Sequence, residues 1–441
     1  MNKAKVLILT LAFLIASATY ADISVEAAYS KPAPEGNRAE VEIGTITLPD
    51  LPPADQVRVA MKCAQICQSD RRILTGTKKS EALLREIVLG HEGVGQISQL
   101  SPEAKATDLK VGTYVVVLPH SVPNGDSVAE RGFPNLSPNM KHIGFSLNGV
   151  FAEQMDFPKY NIFPISNASE MVKNFGEDPY LEQMVNTEPL ACVQRAFKLL
   201  DEKQPGVLNK SVSRILILGA GPMGLLHAMH ARMKYPKAKV VNYDISPVRR
   251  ALAKQIMGES TVLDSTSGLA NTFDVVVTST SSADANSVDA PKLIKNGGVI
   301  LLFSGINLHA GESSPEIAGV NVEAIHRTED LRQIRGYRVG SKIKDFTLLG
   351  SSGYTKTDIA TAVSELHADL HSAKPSYSKV TTSRINGLSS RSVQDLSGRN
   401  RNVVFETSSL AKLLEFESPE VFEHEKISIR FGNTCSGLFG R

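Results

Sequence analysis

Cys67, the pair His91-Glu92, and Glu188 supply a thiolate, an imidazole and carboxylates. That mixture is borderline-soft and suits zinc in an open-sided site. Downstream, Gly219-Ala220-Gly221-Pro222-Met223-Gly224 matches G-x-G-x-x-G. The turn directly follows the apolar run Arg214 to Leu218 and opens a helical pattern from Pro222 to Lys234. In that setting the first glycine permits a tight turn and the second lets backbone approach a pyrophosphate. The third allows close packing of helix on strand, and the helix N-terminus favours phosphate. A metal set and a dinucleotide turn in one chain point to a zinc enzyme that moves a hydride.

Asp244 follows the next apolar strand, twenty residues beyond Gly224. A carboxylate there accepts hydrogen bonds from adenosine ribose hydroxyls and repels a 2′-phosphate, which favours NAD over NADP. Arg249 lies close by and would tolerate that phosphate.

These residues need elements to position them. At 441 residues the chain implies two domains, and 42% hydrophobic with 21% charged residues is a globular composition. A net charge of +2 gives no electrostatic case for nucleic acid. Arg71-Arg72 and the basic residues near Arg391–Arg401 read as solvated surface. Short strands are expected at Ala39–Ile46, Gln56–Met61, Gly93–Leu100 and Thr113–Leu118, with a loop-rich lobe from Pro119 to Asn148. Residues 22–187 therefore read as an irregular β domain.

The pattern then changes. Apolar strands at Arg214–Leu218, Lys239–Tyr243, Phe273–Val277, Val299–Phe303 and Phe346–Leu349 alternate with segments long enough for helices. Residues 188–372 therefore read as an α/β domain with a doubly wound parallel sheet. Helices are expected over Pro189–Leu200 and Ala360–Leu370. Ile306–Lys344 is long for a connection and reads as a flap or an insertion. Residues 373–441 are expected to return to the first domain and end in a tail of mixed character.

The N-terminus has the parts of a secretory signal over residues 1–21: Lys3 and Lys5, the apolar run Val6 to Ala18, then small residues before Asp22. The expectation is a periplasmic or secreted protein with no stable membrane span after cleavage; the alternative is a cytoplasmic one. Export sits awkwardly with a nicotinamide cofactor, which is a cytoplasmic resource. The four cysteines, Cys63, Cys67, Cys192 and Cys435, do not form a disulfide framework, and thiols are expected.

The chain resembles the zinc-dependent medium-chain dehydrogenases, particularly their polyol (sorbitol-like) branch. The resemblance rests on Cys67-Gln68-Ser69-Asp70, Gly90-His91-Glu92-Gly93-Val94-Gly95 and Asn148-Gly149-Val150-Phe151-Ala152-Glu153. It continues through Glu188-Pro189-Leu190-Ala191-Cys192, the Gly219–Gly224 turn and Leu349-Gly350-Ser351. It implies a GroES-like β catalytic domain with a Rossmann domain inserted before its last portion. It implies one catalytic zinc on Cys67 and His91, with Glu92 and Glu188 as the nearby carboxylates. It implies that Ser69 passes the substrate's proton onward, and that the substrate is a secondary alcohol of a polyol or sugar derivative. A homo-oligomer is also compatible with it.

Two departures stand out. Many members have histidine five residues after the first ligand, to finish the proton relay; this chain has Arg72, which does not exchange protons near neutrality. Many also carry a four-cysteine structural zinc in the lobe matching Pro119 to Asn139, and this chain has no cysteine there. The alternative reading is an exported zinc-binding pseudoenzyme without turnover. A metal-free quinone or enone reductase would have no use for the Cys67, His91-Glu92 set.

Overall fold

The computed structural model describes residues 22–34, 38–78, 80–123, 125–208, 213–308, 313–372, 376–380, 383–386, 393–395 and 427–430. The expected signal, Cys435 and most of the tail lie outside them. Among the described residues, no helix is long and apolar enough to cross a membrane.

The first domain is built on a sheet whose centre is the Gln56–Gln65 strand. It pairs antiparallel with Glu92–Leu100 on one side, which continues to Tyr114–Val117 and Ile162–Pro164. Its inward residues Val57, Val59 and Met61 are buried, as alternation on a sheet over a core requires. On its other side Gln56–Ala60 pairs with Gln154–Pro158, and Cys63–Gln65 pairs with the late strand Ile427–Arg430. Ser383–Asn386 adds beside that late strand. Residues 383–386 and 427–430 are thus part of the first sheet. A hairpin, Ile23–Pro32 with Ala39–Leu48, completes the unit; its first strand was not anticipated from the sequence.

The second domain is a six-stranded sheet. Its order is Lys239–Tyr243, Arg214–Leu218, Phe273–Thr278, Ile294–Leu302, Lys342–Gly350, Leu331–Val339. The first four pairings are parallel and the last is antiparallel. All five expected strands are present, and the doubly wound α/β class holds. Leu216, Ile217, Val276 and Ile300 are fully buried, which is what a parallel sheet covered on both faces demands.

Ile306–Lys344 is not a flap. Part of it forms the antiparallel edge strand, and part forms the short helix Val322–Thr328 over the sheet. The Thr187–Lys203 helix links the domains and packs against the Lys356–Leu370 helix through buried Leu190, Val193, Ile359 and Leu366.

The lobe without cysteines is held by hydrogen bonds. Asp126 caps the Ser127–Glu130 helix, accepting from the Val128 and Ala129 N–H groups at 3.1 and 2.9 Å. Its other oxygen accepts from Ser137 Oγ at 2.7 Å and Asn139 Nδ2 at 3.0 Å. These bonds, the Ala129 N–H and Ser137 hydroxyl foremost, hold the Asp126 carboxyl down at about 2. Asn135 then ties the lobe to the second domain, donating to Ser352 O at 2.6 Å and Glu329 Oε1 at 3.1 Å.

Candidate active site

Strand register assembles the site. Gln65 pairs with Glu92 across the central antiparallel ladder. Cys67, two residues beyond Gln65, is thereby placed beside His91, one residue before Glu92. The ligand atoms of Cys67, His91 and Glu92 lie within 4.8 Å of one another. His91 and Glu92 are buried, and Cys67 is half-buried.

Glycines let the His91 segment run this deep. Gly90 has φ +85°, and a Cβ there would lie 2.4 Å from the Phe151 ring. A Cβ on Gly149 would lie 2.2 Å from Gly90 O, so the two backbones pass in contact. The Asn148–Ala152 stretch bonds to this segment through Gly149, Val150 and Phe151 N–H groups. That contact is the physical reason for the glycines around His91-Glu92 and at Gly149.

Cys67 is the N-cap of the Gln68–Leu74 helix. Asp70, fully buried in its first turn, accepts from the Cys67 backbone N–H at 2.9 Å through Oδ2. Its Oδ1 lies 2.9 Å from His91 Nδ1. One carboxylate thus fixes the backbone of the thiol residue and the ring of the imidazole, leaving His91 Nε2 as the nitrogen that could hold a metal. Burial opposes charge on His91, but the Asp70 carboxylate and Cys67 outweigh it and raise the imidazole well above its usual pKa. Such basicity favours cation binding. Thiolate, imidazole and carboxylate with an aligning second carboxylate fit zinc.

Glu188 stands outside that close trio. It is buried in the first turn of the Thr187–Lys203 helix, and Cys192, one turn on, donates to its Oε1 at 3.6 Å. Burial, then Glu188, hold the Cys192 thiol well above its usual pKa. Ser69 is half-buried two residues beyond Cys67. The free cysteines among the described residues are Cys63, Cys67 and Cys192.

Arg72 crosses between domains. It donates to Gly305 O at 3.3 Å and Ile306 O at 3.0 Å, just past the carboxyl end of the Ile294–Leu302 strand. Burial lowers its pKa below the ordinary guanidinium value.

An aromatic wall adjoins His91. Phe145 meets the His91 ring edge-on at 4.9 Å and stacks on His142 at 4.0 Å. His142 meets His120 at 5.4 Å, and His120 stacks on Tyr354 of the second domain at 4.5 Å. Burial lowers His120 to about 3 and His142 well below its usual value, with charge on His91 adding to both, so these rings are neutral. None of this wall was read from the sequence.

The glycine turn is placed as expected at the carboxyl end of Arg214–Leu218, where the strand order reverses. A Cβ on Gly224 would lie 1.9 Å from Gly219 O, whereas one on Gly221 would meet nothing. The third glycine is therefore a packing residue and the second leaves room for a ligand. Pro222 and Met223 open the Pro222–Lys234 helix. Asp244 Oδ2 accepts from Ala220 N–H and Oδ1 from Ser246 N–H, both at 2.8 Å. Arg249 Nη1 lies 3.6 Å from Asp244 Oδ2.

Residues 53–167 match the alcohol dehydrogenase GroES-like domain. The chain is 30% identical over 270 residues to the D-altritol 5-dehydrogenase of Agrobacterium fabrum, spanning 60% of this chain and 74% of that protein. It belongs to the zinc-dependent medium-chain dehydrogenase/reductase family. It is accordingly an oxidoreductase that works with zinc and a nicotinamide cofactor. The L-threonine 3-dehydrogenase of Mesorhizobium japonicum is 28% identical over 271 residues, spanning 58% of this chain and 71% of that protein. Among solved structures, one described as a zinc-binding dehydrogenase from Sinorhizobium meliloti, bound to NADP, superposes with a TM-score of 0.65. It shares 19% identity and covers 92% of this chain and 99% of its own.

Proposed function

We propose that this chain oxidises a secondary alcohol of a polyol or sugar derivative with NAD, at one zinc held by Cys67, His91 and Glu92. The approach of those three ligand atoms to within 4.8 Å carries the reading. The D-altritol 5-dehydrogenase relative supports the polyol class.

Bound zinc supplies a Lewis acid that favours the alkoxide form of an alcohol. Asp70 holds His91 in the tautomer that presents Nε2, and it fixes the Cys67 backbone. Glu188, at the mouth of the linking helix, is the further carboxylate of the site. Ser69 takes the alcohol proton and passes it outward. Arg72 is not the next carrier, because its guanidinium stays protonated and is engaged with Gly305 and Ile306. The proton would leave through solvent, and a nicotinamide held by the Gly219–Gly224 turn and Asp244 would supply the acceptor for the carbinol hydride.

Gly219, Gly221, Pro222, Met223 and Gly224 form the pyrophosphate cradle. Asp244 uses one lone pair on each oxygen for backbone and retains acceptor capacity for the ribose, which supports NAD over NADP. Arg249 is already paired with Asp244. Arg72, which together with the signal segment motivates the pseudoenzyme reading, makes a domain junction through the Gly305 and Ile306 carbonyls.

The test incubates zinc-loaded protein with NAD or NADP and a polyol panel while NAD(P)H absorbance is followed. Turnover with NAD preferred is expected. Zinc bound without turnover on any polyol would refute the enzyme reading. We also propose export through the segment ending near Ala21; a full-length cytoplasmic product on fractionation would refute that.

A further inference from the structure

A cation stands at the edge of the candidate active site with no carboxylate to neutralise it. Lys78 Nζ lies 4.1 Å over the Phe145 ring. Among the described residues it makes no ion pair. The carboxylate that acts on it electrostatically, Asp70, already has both oxygens engaged by His91 and the Cys67 N–H. The other groups that act on it electrostatically are Cys67, Arg72 and Arg327, the last two of them cations.

A half-buried lysine that makes no ion pair with a carboxylate is unfavourable, because partial burial disfavours its charged form. Burial does push this amine down to about 8, which still leaves it charged at neutral pH. A cation so placed suits an anion that arrives from outside.

Its position says which molecule would bring that anion. The Phe145 ring under Lys78 is 4.9 Å from the His91 ring, so the ammonium is at most about 9 Å from that ligand. An open-chain sugar derivative spans that reach. The rings beside Phe145 offer partners for hydroxyls: His142 stacks on it and His120 adjoins His142, both are neutral, and His120 Nδ1 is buried without a hydrogen-bond partner among the described residues.

We propose that Lys78 is an anion-binding subsite of the alcohol pocket, and that the substrate carries a carboxylate or phosphate at the end remote from the carbinol that is oxidised. This rests on the reading of Cys67, His91 and Glu92 as the reaction centre.

The experiment titrates the zinc-loaded full chain calorimetrically with D-gluconate, D-glucitol 6-phosphate and D-glucitol. Wild type, Lys78→Met and Lys78→Arg are compared. At least one anion is expected to bind wild type about tenfold or more tighter than D-glucitol. Lys78→Met should erase that preference while leaving D-glucitol affinity within about twofold, and Lys78→Arg should keep it. Which anion is preferred separates carboxylate from phosphate. No anion preference in wild type, a preference that survives Lys78→Met, or equal weakening of all three ligands would overturn the subsite. NADH formation is followed in parallel. A Lys78-dependent preference without turnover leaves the subsite and refutes the proposed reaction; D-glucitol oxidation without the preference does the reverse.

Discussion

Asp70 and His91 are joined by a 2.9 Å contact between Oδ1 and Nδ1, while the same carboxylate holds the Cys67 N–H through Oδ2. Two segments of the candidate metal site, from different elements, are thereby aligned by one buried side chain. Asp70→Asn retains an acceptor for only one of these N–H groups, and its amide opposes the other. Zinc affinity, measured by chelator competition, should fall about 10- to 100-fold. An unchanged affinity would mean that Asp70 only caps the helix.

Gly221 and Gly224 separate ligand space from packing space. Gly221 has φ −70°, and an added Cβ meets nothing. Gly221→Ala should leave thermal stability nearly unchanged and weaken NADH binding by about tenfold or more. Gly224→Ala drives a Cβ to 1.9 Å from Gly219 O and should cost about 1–3 kcal/mol in unfolding free energy. Denaturant unfolding and NADH fluorescence titration read the two effects.

The glycine turn, its strand and its helix were legible because local chemistry decides them: an apolar strand, a turn needing glycine, then a helix start. Cys67 and His91-Glu92 were legible as residue types, and Gln65↔Glu92 pairing explains why they meet. Asp70 was visible in its motif, and its spacing from Cys67 is that of a capping box, a signal that could have given its role. The wall of Phe145, His142, His120 and Tyr354 was not legible, because it joins distant segments through ring packing that no sequence period encodes. The antiparallel edge strand Leu331–Val339 was missed because its residues alternate weakly; most face solvent.

Arg72 replaces a proton carrier by a clamp. Its two hydrogen bonds to Gly305 and Ile306 carbonyls join the domains. Arg72→Ala should lower unfolding free energy by about 1–3 kcal/mol and weaken NADH binding, since the contact lies at the carboxyl edge of the sheet. If Arg72→His instead raises kcat at low pH, a relay has been restored rather than a clamp lost.

Asp126 should make the lobe acid-sensitive. Its folded pKa of about 2 lies below the ordinary 3.8, so its stabilisation is complete above the ordinary value. It is lost as pH falls from there towards about 2. The stability gap between wild type and Asp126→Ala, followed by urea unfolding, should be constant near neutrality and narrow below about pH 4. A gap independent of pH across that window would mean that the carboxylate charge contributes nothing.

Zinc content of wild type and His91→Ala, measured by plasma mass spectrometry after dialysis, tests the site most directly. About one zinc per wild-type chain is expected, falling below about a tenth in the variant. Equal zinc in the two proteins would contradict the placement of the metal on Cys67, His91 and Glu92.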